Sequence, residues 1–445
     1  MNKYPSYYNT GCTWVNEIPR SWKFEKGKTL FKYKKEKNID NHCTNILSLT
    51  LNGVINNDIE NPIGLAPDDY ATYQIFNKND LVFKLIDLEN VSTSRVGLVE
   101  EWGAMSSAYI RLIKDANINI KYFYWQYYDL YLRHIFNGLG AGVRSTLNQK
   151  DLLNLLVCIP PRDEQDCIAA YLDWKNSRIT KLINIRKKQI SLLEELKKAI
   201  VADIITHGLD KNAPMKYSGV EWMGQIPAHW QVVKLRQILR PFSEKNHPEL
   251  PLLSVVREKG VIVRDVTNKE ENHNFIPDDL SGYKLVKEGQ FVMNKMKAWQ
   301  GSYGVSAYNG IVSPAYFVFD LFFENKEYFH TAIRSKTYVN FFAQASDGIR
   351  VGQWDLSIPK MREIPFLIPP QEEQRQIVEY LPVACLKYTS AIEKLKKEIE
   401  LLNEYRTKII YEAVTGKIDV TKLKISASKQ DDSMIPGIEE INGEE

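Results

Sequence analysis

"IPPQEEQRQIVEYL" at residues 368–381 repeats, with few changes, "IPPRDEQDCIAAYL" at 159–172. In both, two prolines precede acidic and amide side chains and then an apolar-periodic run. Acidic groups early in such a run favour a helix N-terminus, because they meet the unpaired N–H groups and the positive end of the helix dipole. The repetition extends outward from these phrases. "TWVNEIPRSW" (13–22) matches "EWMGQIPAHW" (221–230), pairing Trp14 with Trp222, Pro19 with Pro227 and Trp22 with Trp230. "PDDYATY" (67–73) matches "PDDLSGY" (277–283), and "GLVEEWGAMSSAY" (97–109) matches "GVSAYNGIVSPAY" (304–316). "GVR" (142–144) matches "GIR" (348–350), and "ITHGLD" (205–210) faces "VTGKID" (414–419). The matches keep one order and an offset between 206 and 210. The chain is therefore a tandem duplication of one module of about 200 residues, too long for a solenoid unit.

Each module divides into two parts. The first mixes short β-like runs ("NDLVFKLI", "AYIRLI", "GQFVMN", "AYFVFDLFF") with helical stretches such as "KYFYWQYYDLYLRHIF", which predicts a mixed α/β (α+β) domain. The second is helical to Thr206 and Thr415, with Ile183, Arg186, Ile190, Leu193, Lys197 and Ile200 matching Ile392, Leu395, Ile399, Leu402, Arg406 and Ile409. Steps of three and four give a heptad stripe. The charged faces around it need water, so an antiparallel coiled coil between the two copies, with pseudo-twofold symmetry, is the simplest burial of both stripes. Pro382 is expected to break or kink the second helix, leaving about 384–414 uninterrupted. The expected division is a globular domain at 1–158, a helical spacer at 159–212, a second globular domain at 213–367, a second spacer at 368–420 and a disordered acidic tail at 421–445.

Composition narrows the function. The 445 residues are 44% hydrophobic and 25% charged, ordinary for a folded soluble chain of two or three domains. Net charge is +3, but residues 421–445 carry −3, leaving +6 on residues 1–420, which permits a polyanionic partner. The five cysteines, Cys12, Cys43, Cys158, Cys167 and Cys385, are odd in number and lack paired short spacings. They read as reduced thiols in a cytoplasmic protein. The N-terminus lacks the apolar core of a signal peptide, and no run of 18 apolar residues spans a bilayer, so no membrane association is expected.

No complete active site is visible. The repeated "PDD" invites a metal-dependent nuclease reading, but it continues to a tyrosine and lacks a further carboxylate followed by lysine. "GLGAG" (138–142) follows an aromatic helix-like run, whereas a phosphate-cradling loop follows a strand and opens a helix. "TGKI" lacks the hydroxyl residue of a P-loop, and both Pro-Pro pairs follow isoleucine rather than the asparagine of amino-methyltransferases. The seven histidines form no metal-ligand spacing. Expected catalytic and metal residues are therefore none.

Binding chemistry is visible. Between matched flanks lie "KLIDLENVSTSRV" (84–96) and "MNKMKAWQGSY" (293–303), which share almost nothing. In a duplicated binding protein, matched residues build the scaffold and divergent loops read different targets. Asn294 and Gln300 suit an adenine edge, Lys295 and Lys297 a phosphate or guanine, and Trp299 and Tyr303 offer packing surfaces. Lys84 and Arg95 are the basic groups of the other loop. Arg144 and Arg350, equivalent in the two copies, suit phosphates rather than discrimination between half-sites.

The opening "SGVEWMGQIPAHWQVVKLRQI" (218–238) and the closing "IPPQEEQRQIVEYL" resemble specificity subunits of type I restriction-modification systems, over about residues 13–420. The resemblance implies two target recognition domains and two conserved helical spacers that dock the modification subunits. It implies binding of double-stranded DNA at an asymmetric bipartite target and no catalysis or cofactor on this chain. Two methyltransferase subunits would carry S-adenosylmethionine, and restriction subunits would use ATP and Mg. Two competing readings are a DNA-modifying enzyme with an unrecognised active site and a coiled-coil scaffold.

Overall fold

A computed structural model describes residues 3–64, 66–86, 88, 93–139, 146–221, 223–265, 276–350 and 353–422, and at 347–350 and 353 the backbone alone. Trp222, Arg144 and residues 423–445 of the acidic tail lie outside the described residues. The chain forms two compact units, Met1–Ile185 with Lys397–Glu445, and Arg186–Lys396. The boundaries fall inside the long helices, so each unit holds one globular module plus a part of each helix.

The first module is built on a four-stranded sheet in the order Phe31–Tyr33, Ile110–Lys114, Leu81–Phe83, Val96–Leu98. The second repeats that order with Leu239–Phe242, Tyr316–Leu321, Phe291–Asn294 and Tyr303–Val305. All these ladders are antiparallel. The smaller pairs recur too: the hairpin Leu47–Thr50/Gly53–Asn56 corresponds to Leu253–Val256/Gly260–Val263. The pair Gln74–Phe76/Gly103–Met105 corresponds to Lys284–Val286/Gly310–Val312. The repeated glycine of this last pair has a packing cause. A Cβ on Gly103 would lie 2.8 Å from the Asn45 carbonyl oxygen, and one on Gly310 would lie 2.5 Å from that of Pro251. Only a residue without a side chain lets the two backbones approach there. Helices close one side of each sheet, Ile120–Leu132 in the first module and Lys326–Ile333 with Lys336–Gln344 in the second. Their buried aromatics, including Tyr122, Phe123 and Tyr127, then Tyr328, Phe329 and Phe342, fill the two main cores.

The long helices run Arg162–His207 and Gln371–Val414. At 46 and 44 residues they extend about 69 and 66 Å at 1.5 Å per residue. The second passes through Pro382 without interruption, correcting the expected break. Pro382 is exposed, while its neighbours Ile377, Leu381 and Cys385 are buried. Packing of that face offsets the hydrogen bond that the proline cannot make.

Within each unit the helix portions run antiparallel. Arg406 donates to the Thr180 hydroxyl at 3.2 Å in one unit, and Lys197 donates to that of Thr389 at 3.0 Å in the other. The predicted stripe faces inward: Ile183, Ile392 and Ile409 are buried, and Ile190, Leu193, Ile200, Leu395, Ile399 and Leu402 are half-buried. Lys197 and Arg406 are half-buried at the stripe and cap hydroxyls with their charged ends.

The repeated phrases meet in space, which explains why the chain carries each of them twice. Trp22 donates its indole N–H to Glu164 at 2.8 Å, and Trp230 donates to Glu373 at 2.9 Å. Gln165 and Gln374, both buried, donate to the carbonyls of Pro160 and Pro369 at 2.9 and 2.8 Å. The opening tryptophan thus holds the helix start through a carboxylate, a charge-assisted bond worth about 1.5–3 kcal/mol. The end of the other helix packs on the same tryptophan. Gly416 (φ +69°) sits against Pro19 and Trp22, and Gly208 (φ +74°) against Trp230 and Glu373. A left-handed glycine ends each helix there without the strain an L side chain would suffer.

Candidate nucleic-acid interface

In the second module the divergent stretch folds into a short 3-10 helix, Lys295–Gln300. Asn294 caps it, accepting from the Met296 N–H at 3.1 Å, and Gly301 ends it in the left-handed region at φ 92°. Asn294 also bonds the Tyr316 hydroxyl. Its amide is thus engaged within the fold, and its observed part is to shape the loop. Tyr303 is fully buried, its ring 4.2 Å from that of Phe342, so the structure makes it a core residue rather than a packing surface. Lys297 is exposed, and Trp299 and Gln300 are half-buried.

This short helix packs against the hairpin Ser346–Arg350/Gln353–Leu356, which sequence reasoning missed. The Trp299 ring stacks on Trp354 at 5.5 Å with 29° between planes, and Lys295 pairs with Asp355. Arg350 ends the first strand of the hairpin and pairs across with Gln353. The structure therefore brings the loop of Lys295, Lys297, Trp299 and Gln300 to the strand that carries Arg350. The signal for the hairpin lay in chain length. Four positions separate Arg144 from Asn148, the cap of the helix Gln149–Asn154, whereas seven separate Arg350 from Ser357, the cap of Ile358–Arg362.

The first module uses a different loop at the same place. Lys84 donates to the Thr93 hydroxyl at 3.1 Å, and its own N–H donates to the Arg95 carbonyl at 3.0 Å. Arg95 is 2% exposed, so it lies inside the fold and presents no surface for a duplex. Leu147, just beyond the segment that holds Arg144, donates its N–H to the Leu85 carbonyl at 3.0 Å. In both modules, then, the segment after the matched arginine docks on the loop between the two matched strands.

The repeated carboxylates have a structural task. Asp69 accepts from the Ala71 N–H at 2.9 Å and caps the turn Tyr70–Thr72; Asp279 accepts from the Ser281 N–H at 2.8 Å. These bonds to the ionised form hold both carboxyls below the usual aspartate range. Each is a turn cap, which is why the phrase is duplicated with the scaffold. Among the described residues no three His, Cys, Asp or Glu side chains gather as a metal-ligand set, and no helix is long and apolar enough to cross a membrane. All five cysteines are free thiols.

Residues 22–191 match the family model described as the type I restriction modification DNA specificity domain. The chain is thus similar to the specificity subunits of type I restriction-modification systems. It is 26% identical over 372 residues to the type I restriction enzyme MjaVIII specificity subunit of Methanocaldococcus jannaschii, covering 78% of this chain and 81% of that one. It is also 26% identical over 309 residues to the putative MjaX specificity subunit of the same organism, covering 66% and 68%. A solved chain from a study of complex assembly and conformational transition of the type I R-M system superposes with a TM-score of 0.61 at 13% identity. That superposition covers 90% of this chain and 99% of the other, and it establishes a shared fold. The family match covers the first module; the internal duplication carries the same architecture to the second.

Proposed function

We propose that each module of this specificity subunit reads one half of an asymmetric bipartite DNA target, and that the long helices dock two methyltransferase subunits. The observation that carries this reading is one scaffold, built twice, with unlike sequences between its matched strands: Lys295–Gln300 with its hairpin in one module, the segment after Leu81–Phe83 in the other. Identical modules would read a symmetric site; unlike loops on a common frame read two different sequences. Docking draws support from apolar side chains that the helix stripe leaves exposed, among them Leu192 at 60% and Leu386 at 63%. A surface helix with such residues gains from a partner's apolar face.

In this reading the chain itself performs no chemical step. S-adenosylmethionine belongs to the modification subunits, and ATP and Mg to restriction subunits. The capping role of the repeated aspartates is consistent with this division. The test is to express the chain with its cognate modification subunits and sequence the methylome with and without it. The expected result is adenine methylation at a split motif that disappears when this chain is omitted, and no methyl transfer by the purified chain alone. Methylation by the isolated chain, or a motif indifferent to its presence, refutes the proposal.

A further inference from the structure

Two places where the second module departs from the first are in contact with each other. One is the loop Lys295–Gln300; the other is the hairpin, three residues longer after its arginine than the corresponding segment. The extra length lies before Leu356, because Leu356 and its counterpart Leu147 are both buried, at 3% and 5% exposure, and so anchor the same point of the scaffold. Trp354 and Asp355 immediately precede that anchor, where the first module has Ser145 and Thr146. Each half of the departure uses the other. Trp299 stacks on Trp354, and Lys295 pairs with Asp355.

The chemistry at the rim of this contact is directional. Lys295 and Asp355 keep 36% and 55% of their side-chain surface, and Trp354 is 37% exposed. The Trp299 indole N–H, in contrast, is buried and meets no acceptor among the described residues, so this tryptophan acts through its stacked face. An ammonium donor beside a carboxylate acceptor is complementary to the major-groove edge of one G·C pair, which shows the guanine N7 and O6 acceptors next to the cytosine amino donor. A surface ion pair contributes little stability by itself, so the pair is of interest here for its donor and acceptor chemistry rather than for the fold. The stacked tryptophans supply the rigid support that such a pair needs, because offset aromatic stacking fixes both the loop and the hairpin.

We propose that Lys295 and Asp355 form a joint specificity-determining pair for a G·C base pair, with Trp354 as the positioning residue that holds it through Trp299. This rests on the DNA-reading function proposed above. It goes further by assigning the hairpin a share in the reading and by naming the base pair.

The experiment uses the full chain assembled with its modification subunits, carrying Asp355→Asn, Lys295→Gln, Trp354→Ala or Trp354→Phe, and reads the methylated motif by methylome sequencing. Affinity is measured on duplexes altered one position at a time. Asp355→Asn and Lys295→Gln are expected to relax the same single G·C position in one half-site, lowering discrimination there by about 10-fold or more. The other half-site stays unchanged. Trp354→Ala is expected to weaken binding to that same half-site, and Trp354→Phe, which keeps a stacking face, to restore most of it; a merely structural residue would not alter one motif position selectively. Should Trp354→Ala fail to fold, as judged by thermal melting, the near-isosteric Asp355→Asn decides. An unchanged motif in both polar variants, or changes in both half-sites, overturns the inference. A wild-type assembly that confers no split motif overturns the general function instead.

Discussion

Gly416→Ala is expected to destabilise the unit formed by residues 1–185 and 397–445 far more than Gly11→Ala does. Both glycines have left-handed backbones, at φ +69° and +67°, so alanine suffers the same conformational penalty at each, about 1–2 kcal/mol. Their surroundings differ. A Cβ at Gly11 meets nothing within 4 Å, whereas one at Gly416 would lie 2.4 and 2.5 Å from the Pro19 Cγ and Cδ and 3.2 Å from the Trp22 ring. A proline ring cannot swing aside, so the helix end or the opening motif must shift, at about 1–3 kcal/mol for overpacking. The shift also strains the Trp22–Glu164 bond of 2.8 Å and the bond of 3.0 Å from the Tyr7 hydroxyl to the Gly416 carbonyl. The difference between the two variants is therefore expected at about 2–4 kcal/mol. Urea unfolding followed by tryptophan fluorescence measures it, since Trp22 reports directly on the contact. Equal destabilisation by the two substitutions, within about 0.5 kcal/mol, would show that the glycine is there for its backbone angle alone and that the helix end is not locked on the opening motif.

Burial, reinforced by the Arg334 charge, pushes the His330 imidazole down to about 4. Its unfolded form binds a proton first as pH falls, so its stabilising contribution is complete above about pH 6.5 and is lost on acidification towards pH 4, by roughly 3 kcal/mol. His330→Asn keeps an acceptor for the Val305 N–H, now 3.1 Å from His330 Nδ1, and should show a shallower fall between those pH values; parallel melting curves for variant and wild type would refute this. Asp80→Ala leaves Arg111, 1% exposed and now 2.6 Å from that carboxylate, buried without its main counter-charge, and should cost about 3–5 kcal/mol in denaturant unfolding. A loss under 1 kcal/mol would mean that Glu36, 3.4 Å away, suffices as the counter-charge. Adding one heptad to both helices, after Ile185 and after Lys396, preserves the contacts inside each unit and lengthens each helix by roughly 10 Å. The expected result is a methylation gap about three base pairs longer with both half-sites unchanged, at 3.4 Å per base pair; a constant gap would show that the helices do not set the spacing.

The duplication and the helical stripes were legible because each depends on a spacing that the chain preserves twice. Ile183 with Ile392 and Trp22 with Trp230 are positions whose partners are also duplicated, so the repeat itself reports the contact. Burial of single residues was less legible. Tyr303 and Arg95 have the chemistry of DNA-contacting groups, yet Tyr303 on its strand and Arg95 just before the strand Val96–Leu98 are both buried, and local sequence does not state which side of a short strand faces the core. Asn294 resembles a base reader and serves as a cap; the signal was the helix-terminus pattern of Asn294 before the turn and Gly301 after it. Pro382 misled for a different reason. A local rule against proline was outweighed by buried neighbours whose packing only the tertiary fold reveals.

The two kinds of position also separate energetically. The contacts that hold the helices, Trp230 with Glu373 and Gln374 with Pro369, lie on the matched frame, and their side chains are buried or largely so. The contacts proposed to read DNA, Trp299 with Trp354 and Lys295 with Asp355, lie on segments with no matched counterpart and keep part of their surface. Neither set shares a residue with the other. Substitutions at non-neighbouring sites without shared partners tend to add rather than couple. A change in the reading pair therefore leaves the helix anchor intact, and one frame can carry successive target sequences without rebuilding the parts that hold the helices.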